Sequence, residues 1–370
     1  MTITPEAELV LRLCRPHPTA AQLERAEVLL AAELDWGRVI DHAARHRVLP
    51  AVWTHVSTLG RAGVPQMHRH LARAAIVYNA QRAHALENEF RALRAAFTQE
   101  SLPTMVRKGI YLGWAVYPDP SWRYMTDIDL LIDRADIGRA RELMHRLGYR
   151  QGAVSEDHRT VAPIRREVEA FWLLNASSLP AFLRPTSDSA MRVFHVDLRH
   201  HILEPAMGKR FDMAEWFDRS RTDWLLGAPT RIPSRADFVL DLCVHLYREA
   251  VTLTTIEAGK DITLGKYVDI AEVLSAPATR PDPQLLIARA RQDSIGSEVY
   301  FALRHTESLL PGSVDAALLS ALAPADEAYL DEYGRIDGQP GRWLDPITVR
   351  AFDYERRRTV TGRSRLIRSS

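Results

Sequence analysis

The sequence predicts an α+β protein, a small mixed β-sheet flanked by N-terminal and C-terminal helical domains. Three observations predict it. Residues 5–98 repeat apolar side chains at three- and four-residue spacings, as one face of a helix does. Residues 103–200 break into short strand-like runs separated by turns, and residues 208–322 return to helical spacing. The boundaries read as 1–99, 100–207 and 208–325, followed by a Gly/Pro/Arg-rich tail over 326–370.

In the first segment Pro5 opens a helix, Thr19 caps a second from Ala20 to about Leu34, and Asp35 caps a third through about His46. The longest begins after Pro65. Leu71, Ala75, Tyr78, Leu86, Phe90, Leu93 and Phe97 share its apolar face, with no Gly or Pro until Pro103. The run implies a helix of roughly 30 residues. Strands are expected near 104–108, 128–132, 149–151, 168–174 and 192–198, and an amphipathic helix over 136–147 ends at Gly148, a good C-terminal cap. This order lacks the regular alternation of a doubly wound sheet. Residues 236–250, 264–274, 283–291 and 295–309 read as helices. From Asp331 onward the composition, including Arg356-Arg357-Arg358, predicts a solvated tail that wraps the surface or is partly mobile.

The 370 residues carry a formal net charge of +1, so no global basic field draws the chain to nucleic acid. Cys14 and Cys243 form no C-x-x-C pair, which argues against a disulfide framework or a thiolate zinc site. No apolar run reaches the ~18 residues of a membrane span. Residues 1–13 include Glu6 and Glu8 and no basic leader region. A cytoplasmic protein without membrane association is the expectation.

Chemistry concentrates at Asp127 and Asp129. They sit two residues apart in the apolar run Thr126-Asp127-Ile128-Asp129-Leu130-Leu131-Ile132. A strand alternates its faces, so both carboxylates emerge on one side while Ile128 and Leu130 are buried on the other. Paired carboxylates suit a hard divalent cation such as Mg²⁺ with a phosphorylated substrate. Asp197, in Arg192-Val193-Phe194-His195-Val196-Asp197-Leu198, repeats the pattern of an acid between apolar neighbours. On a strand it shares a face with Val193 and His195. If the two strands are neighbours, three carboxylates converge on one edge of the sheet. The histidines do not suggest zinc: no H-E-x-x-H occurs, and His200 and His201 are adjacent. No G-x-G-x-x-G or Walker A pattern occurs either.

At these residues the chain resembles the nucleotidyltransferase superfamily with a DNA polymerase β-like palm, and within it the uncharacterised nucleotidyltransferase family. The matching features are Lys108-Gly109, Arg123, the run from Asp127 to Ile132, the helix end Leu143 to Tyr149, and Val196-Asp197-Leu198-Arg199-His200. The resemblance is specific over about 100–205. It is weaker over 238–274, where His245 and Tyr267-Val268-Asp269-Ile270 fit the family's C-terminal helices.

The resemblance implies that Asp127 and Asp129 hold Mg²⁺ bridging a triphosphate. Asp197 would join a second metal and help deprotonate the acceptor hydroxyl. Gly109 would let backbone N–H groups approach phosphate. Where the superfamily usually has Gly-Ser, this chain has Gly109-Ile110, so Lys108 or Arg123 is expected to supply the missing phosphate contact. Lys266, one turn before Asp269, is a further candidate for the triphosphate, with a solvated lysine as its rival. The implied function is a Mg-dependent nucleotidyltransferase. It would move a nucleoside monophosphate from an NTP, with ATP the first choice, to a small-molecule, peptide or protein acceptor and release pyrophosphate. The alternative is a catalytically inactive, nucleotide-binding regulatory or antitoxin-like relative.

Overall fold

The computed structural model describes residues 3–60, 63–209, 212–336, 339–357 and 360. Helices α1 (Pro5–Leu13), α2 (Ala20–Leu30), α3 (Trp36–Arg45) and α4 (Leu49–Leu59) lead into the 34-residue α5 (Gln66–Gln99). Next come β1 (Thr104–Val106), α6 (Lys108–Ala115), β2 (Ile128–Ile132), α7 (Ile137–Arg146), β3 (Arg150–Val154), β4 (Val161–Pro163) and α8 (Arg166–Asn175). They are followed by β5 (Phe182–Pro185), β6 (Val193–Arg199), α9 (Met213–Asp218), β7 (Arg221–Leu225) and β8 (Ala228–Ile232). Helices α10 (Arg235–Val251), α11 (Leu253–Glu257), α12 (Leu264–Ser275), α13 (Pro283–Gln292), α14 (Gly296–Leu309) and α15 (Ala316–Leu322) precede β9 (Glu332–Ile336), β10 (Gln339–Arg342) and α16 (Ile347–Arg350). The fold is α+β with a mixed central sheet. Among the described residues, no helix is long and apolar enough to cross a membrane.

Two compact units divide the chain within α5 and α10: Ile76–Phe238, and Met1–Ala75 with Val239–Ser370. In the second, helical unit, local signals set the first helices. Thr19 and Gln22 form a reciprocal capping box on α2, and Asp35 caps α3. Long-range polar contacts join its early and late helices. Arg15 donates to Glu272 at 2.7 Å and to Ser313 at 3.0 Å, and the Gly265 N–H donates to the His46 carbonyl at 3.0 Å.

The first unit carries a six-stranded sheet in the order β1-β2-β6-β5-β3-β4. The β2–β6 pair is parallel, and the others are antiparallel. Ile128, Leu130, Val196 and Leu198 are buried on one face of this pair. Helix α7 ends as its glycine foretells. Gly148 adopts φ 87°, and the Tyr149 N–H donates back to the Met144 carbonyl at 3.0 Å.

Several sequence expectations change. The stretch 168–174, read as a strand, is helix α8. Its short apolar run fits either period, but Glu167 and Glu169 in the first turn favour a helix N-terminus, and Glu169 pairs with Arg141 of α7 at 2.6 Å. Strand β1 stops at Val106, and Lys108 already belongs to α6. A hairpin, β7–β8, interrupts the stretch read as all-helical. The tail forms the β9–β10 hairpin and α16, and Arg356 is buried against Asp261 instead of solvated. Arg358 lies outside the described residues.

Candidate active site

The site grows out of the β1–α6 turn and the β2–β6 pair. Val106 pairs with Leu130, and the Arg107 N–H extends that ladder to the Asp129 carbonyl at 3.1 Å. At Lys108 the backbone enters the left-handed region, φ 38°, and α6 begins. Parallel pairing then sets Asp129 beside Asp197 in register. Neighbouring strands lie ~4.8 Å apart, and in-register side chains share a face. Asp127, two residues earlier, points to that face as well. Asp129 is 5% exposed, while Asp127 and Asp197 are half-buried.

Charge on this face is unevenly compensated. Burial pushes the Asp127 carboxyl up, the charge of Asp129 adds to the effect, and together with Asp197 they bring it to about 6 against the pull of Lys108 and Arg123. Burial also opposes ionisation of Asp129. There the Lys108 ammonium, followed by Arg107, outweighs it and holds the carboxyl below the usual range. The contact is direct: Lys108 Nζ donates to Asp129 Oδ1 at 2.8 Å, with both side chains buried.

Arg123 arrives from the loop between α6 and β2. A Cβ on Gly109 would lie 3.2 Å from its Nη1, so glycine leaves the room the guanidinium uses. Side chains of α5 hold that loop by its backbone. Asn79 donates to the Ser121 carbonyl, and Arg82 Nη2 to the Met125 carbonyl at 2.8 Å while stacking over Tyr124. Asn79, Arg82 and the buried Arg107 are contributors that the sequence reading passed over. Asn79 had one signal, a poor helix former inside a long unbroken helix. His195 lies on the Asp197 face but is exposed. Partial desolvation of the ring against the sheet face lowers its pKa, with Asp197 pulling the other way.

Lys108, Gly109, Arg123, Asp127, Asp129 and Asp197 are thus gathered in one unit. Lys266 belongs to the helical unit, where its ammonium pairs with Glu249 and donates to the Lys260 carbonyl at 2.6 Å. Among the described residues, no three His, Cys, Asp or Glu side chains stand close enough to hold an ion as they are.

A family model described as an uncharacterised nucleotidyltransferase matches residues 32–311. The chain belongs to the uncharacterised nucleotidyltransferase family. No curated protein and no solved structure gives a significant match. The matched span includes the β1–α6 turn, the β2–β6 pair and α12. By donor chemistry, though not by their present spacing, the three carboxylates are of the kind a hard cation takes. Carboxylate oxygens from Asp127, Asp129 and Asp197 share a face, and burial, with the charges of Asp129 and Asp197 adding to it, raises the Asp127 carboxyl.

Proposed function

We propose that the protein is a Mg²⁺-dependent enzyme transferring a nucleoside monophosphate from ATP to the hydroxyl of a small-molecule, peptide or protein acceptor, with release of pyrophosphate. The observation that carries this reading is the in-register pair Asp129–Asp197 with Asp127 on the same face. Asp127, Asp129 and Asp197 would hold the cation. Bound there, Mg²⁺ supplies Lewis-acid polarisation and charge stabilisation for an in-line displacement at phosphorus. Lys108 and Arg123, flanking Gly109, bind the polyphosphate and orient its α-phosphorus. Asp197 accepts the proton of the acceptor hydroxyl. In the transfer, the acceptor oxygen bonds to the α-phosphorus, the bond to the pyrophosphate oxygen breaks, and that oxygen leaves as pyrophosphate. The near-zero net charge gives no support to a polynucleotide acceptor.

The test incubates α-phosphate-labelled ATP, Mg²⁺ and a cell extract with the wild-type protein, Asp197→Asn, and an Asp127→Ala/Asp129→Ala variant. Wild type should label an acceptor. Asp197→Asn should slow transfer by about 10²–10⁴-fold, and the double variant should give background only. Equal labelling by all three would sink the proposal. A second reading, the nucleotide-binding regulatory or antitoxin-like relative, is favoured by Ile110, which is fully buried and offers phosphate no hydroxyl. It predicts that Mg²⁺-ATP raises the melting temperature without any transfer.

A further inference from the structure

Lys108 occupies an unusual place for a phosphate ligand. It opens α6 with φ 38°, a backbone conformation that costs a lysine about 1–2 kcal/mol. Its side chain is buried, and its ammonium donates to Asp129 Oδ1 at 2.8 Å. Asp129 is the buried member of the acid pair with Asp197. One carboxylate oxygen of the cation-holding group is therefore already held by a cation belonging to the chain. A bare divalent ion approaching this face meets an occupied Asp129 and a like charge beside it. No three acids stand ready to receive it among the described residues.

We propose that Lys108 is a resident counter-ion of Asp129, exchanged for the divalent cation only when a nucleotide polyphosphate arrives to take the ammonium. The proposal rests on the reading that Asp127, Asp129 and Asp197 hold the cation. Its physical basis is that a buried ammonium stripped of its carboxylate, with nothing in return, is strongly disfavoured. A polyphosphate gives it a new partner. The four-carbon stem lets the ammonium move while α6 stays fixed. Arg123, packed over Gly109 at the same turn, supplies a second cation for the same phosphates. Cation and nucleotide then bind with positive coupling, and linkage makes the coupling reciprocal.

The exchange predicts effects of opposite sign, which a structural defect does not produce. Mn²⁺ alone serves as the metal probe, and α,β-methylene ATP in Mg²⁺ as the nucleotide probe, both titrated calorimetrically into wild type, Lys108→Met and Lys108→Gln. Removing the ammonium should tighten binding of bare Mn²⁺ on the order of tenfold, enlarge the rise in melting temperature that Mn²⁺ produces, and weaken the nucleotide on the order of tenfold. Weakened binding of both probes would show a purely structural lysine and overturn the proposal. A weakened nucleotide with unchanged Mn²⁺ would show a phosphate ligand without exchange and overturn it too, while leaving the transferase reading intact. If wild type binds no Mn²⁺ even beside the nucleotide analogue, the cation site falls and the exchange with it. Lys108→Gln keeps a polar side chain at the position and guards against misfolding of the methionine variant.

Discussion

A methyl group added at Gly109 would come within 3.2 Å of an Arg123 guanidinium nitrogen. That nitrogen is the far end of a flexible side chain, so the guanidinium moves and the backbone need not. Gly109 also lies in α6, where alanine is the better helix former. Gly109→Ala should therefore change unfolding stability by less than about 1 kcal/mol. On the proposed reading it should weaken nucleotide binding several-fold, because Arg123 leaves the phosphate turn. Calorimetric titration beside thermal melting checks both halves. A large fall in melting temperature with unaltered nucleotide affinity would mean that the glycine serves only packing. Glycine at this position thus answers to the room a charged neighbour needs, and not to a left-handed backbone. The left-handed residue is the adjacent Lys108.

Among the elements, what was legible followed from periodicity. Helix α5 could be read because Leu86, Phe90, Leu93 and Phe97 repeat along one buried face, although Leu71, Ala75 and Tyr78, read as part of the same face, are exposed, and β2 and β6 could be read because acids alternate with buried aliphatics. Parity alone placed Asp127 and Asp129 on one face. That β2 and β6 are parallel neighbours, with Asp129 beside Asp197, depends on long-range pairing that no local pattern encodes. The same limit hid β4 and β5, which are three and four residues long. The Lys108–Asp129 contact was hidden for another reason. It depends on a positive φ at a lysine, which residue type argues against.

The end of β6 carries a testable element of its own. Its last residue, Arg199, is buried, and its Nη2 meets Glu204 Oε1 at 2.6 Å. Glu204 Oε2 accepts from the Ser177 N–H at 3.0 Å and from the Ser177 hydroxyl at 2.7 Å. Burial opposes the Glu204 charge, but the Arg199 guanidinium and these hydrogen bonds hold the carboxyl down at about 2 from its ordinary 4.5. Between those values the unfolded chain binds more protons than the folded one. The stabilisation is therefore complete above about pH 4.5 and is lost as the pH falls toward 2. Glu204→Gln should lose roughly 2 kcal/mol at pH 7. It should approach wild type as the pH falls through that window, as urea unfolding at pH 7 and pH 3 would read. A deficit of the same size at both pH values would rule out the charge as its source.

For the whole molecule, the compact units follow contact and not sequence order, with Met1–Ala75 and Val239–Ser370 sharing one of them. Such a unit needs polar groups that specify which distant segments meet, since apolar burial alone is non-directional. Arg356 is one. The arginine-rich stretch looks like a solvated tail because charge runs usually are. Yet Arg356 Nη2 lies 2.8 Å from Asp261 Oδ1, its Nε 3.3 Å from Oδ2, and its Nη1 donates to the Asp353 carbonyl at 2.6 Å. Asp261 is 1% exposed, so removing the guanidinium strands a carboxylate away from water. Arg356→Ala should cost about 3–5 kcal/mol in urea unfolding, whereas Arg357→Ala, at an exposed neighbour, should stay within about 0.5 kcal/mol. The double change Arg356→Met/Asp261→Leu removes both charges and keeps apolar volume, so it should recover most of that loss. If Arg356→Ala unfolds at the same urea concentration as Arg357→Ala, the pair does not hold the tail to the helical unit. If the double variant is as unstable as the single one, the loss comes from packing and not from a stranded charge.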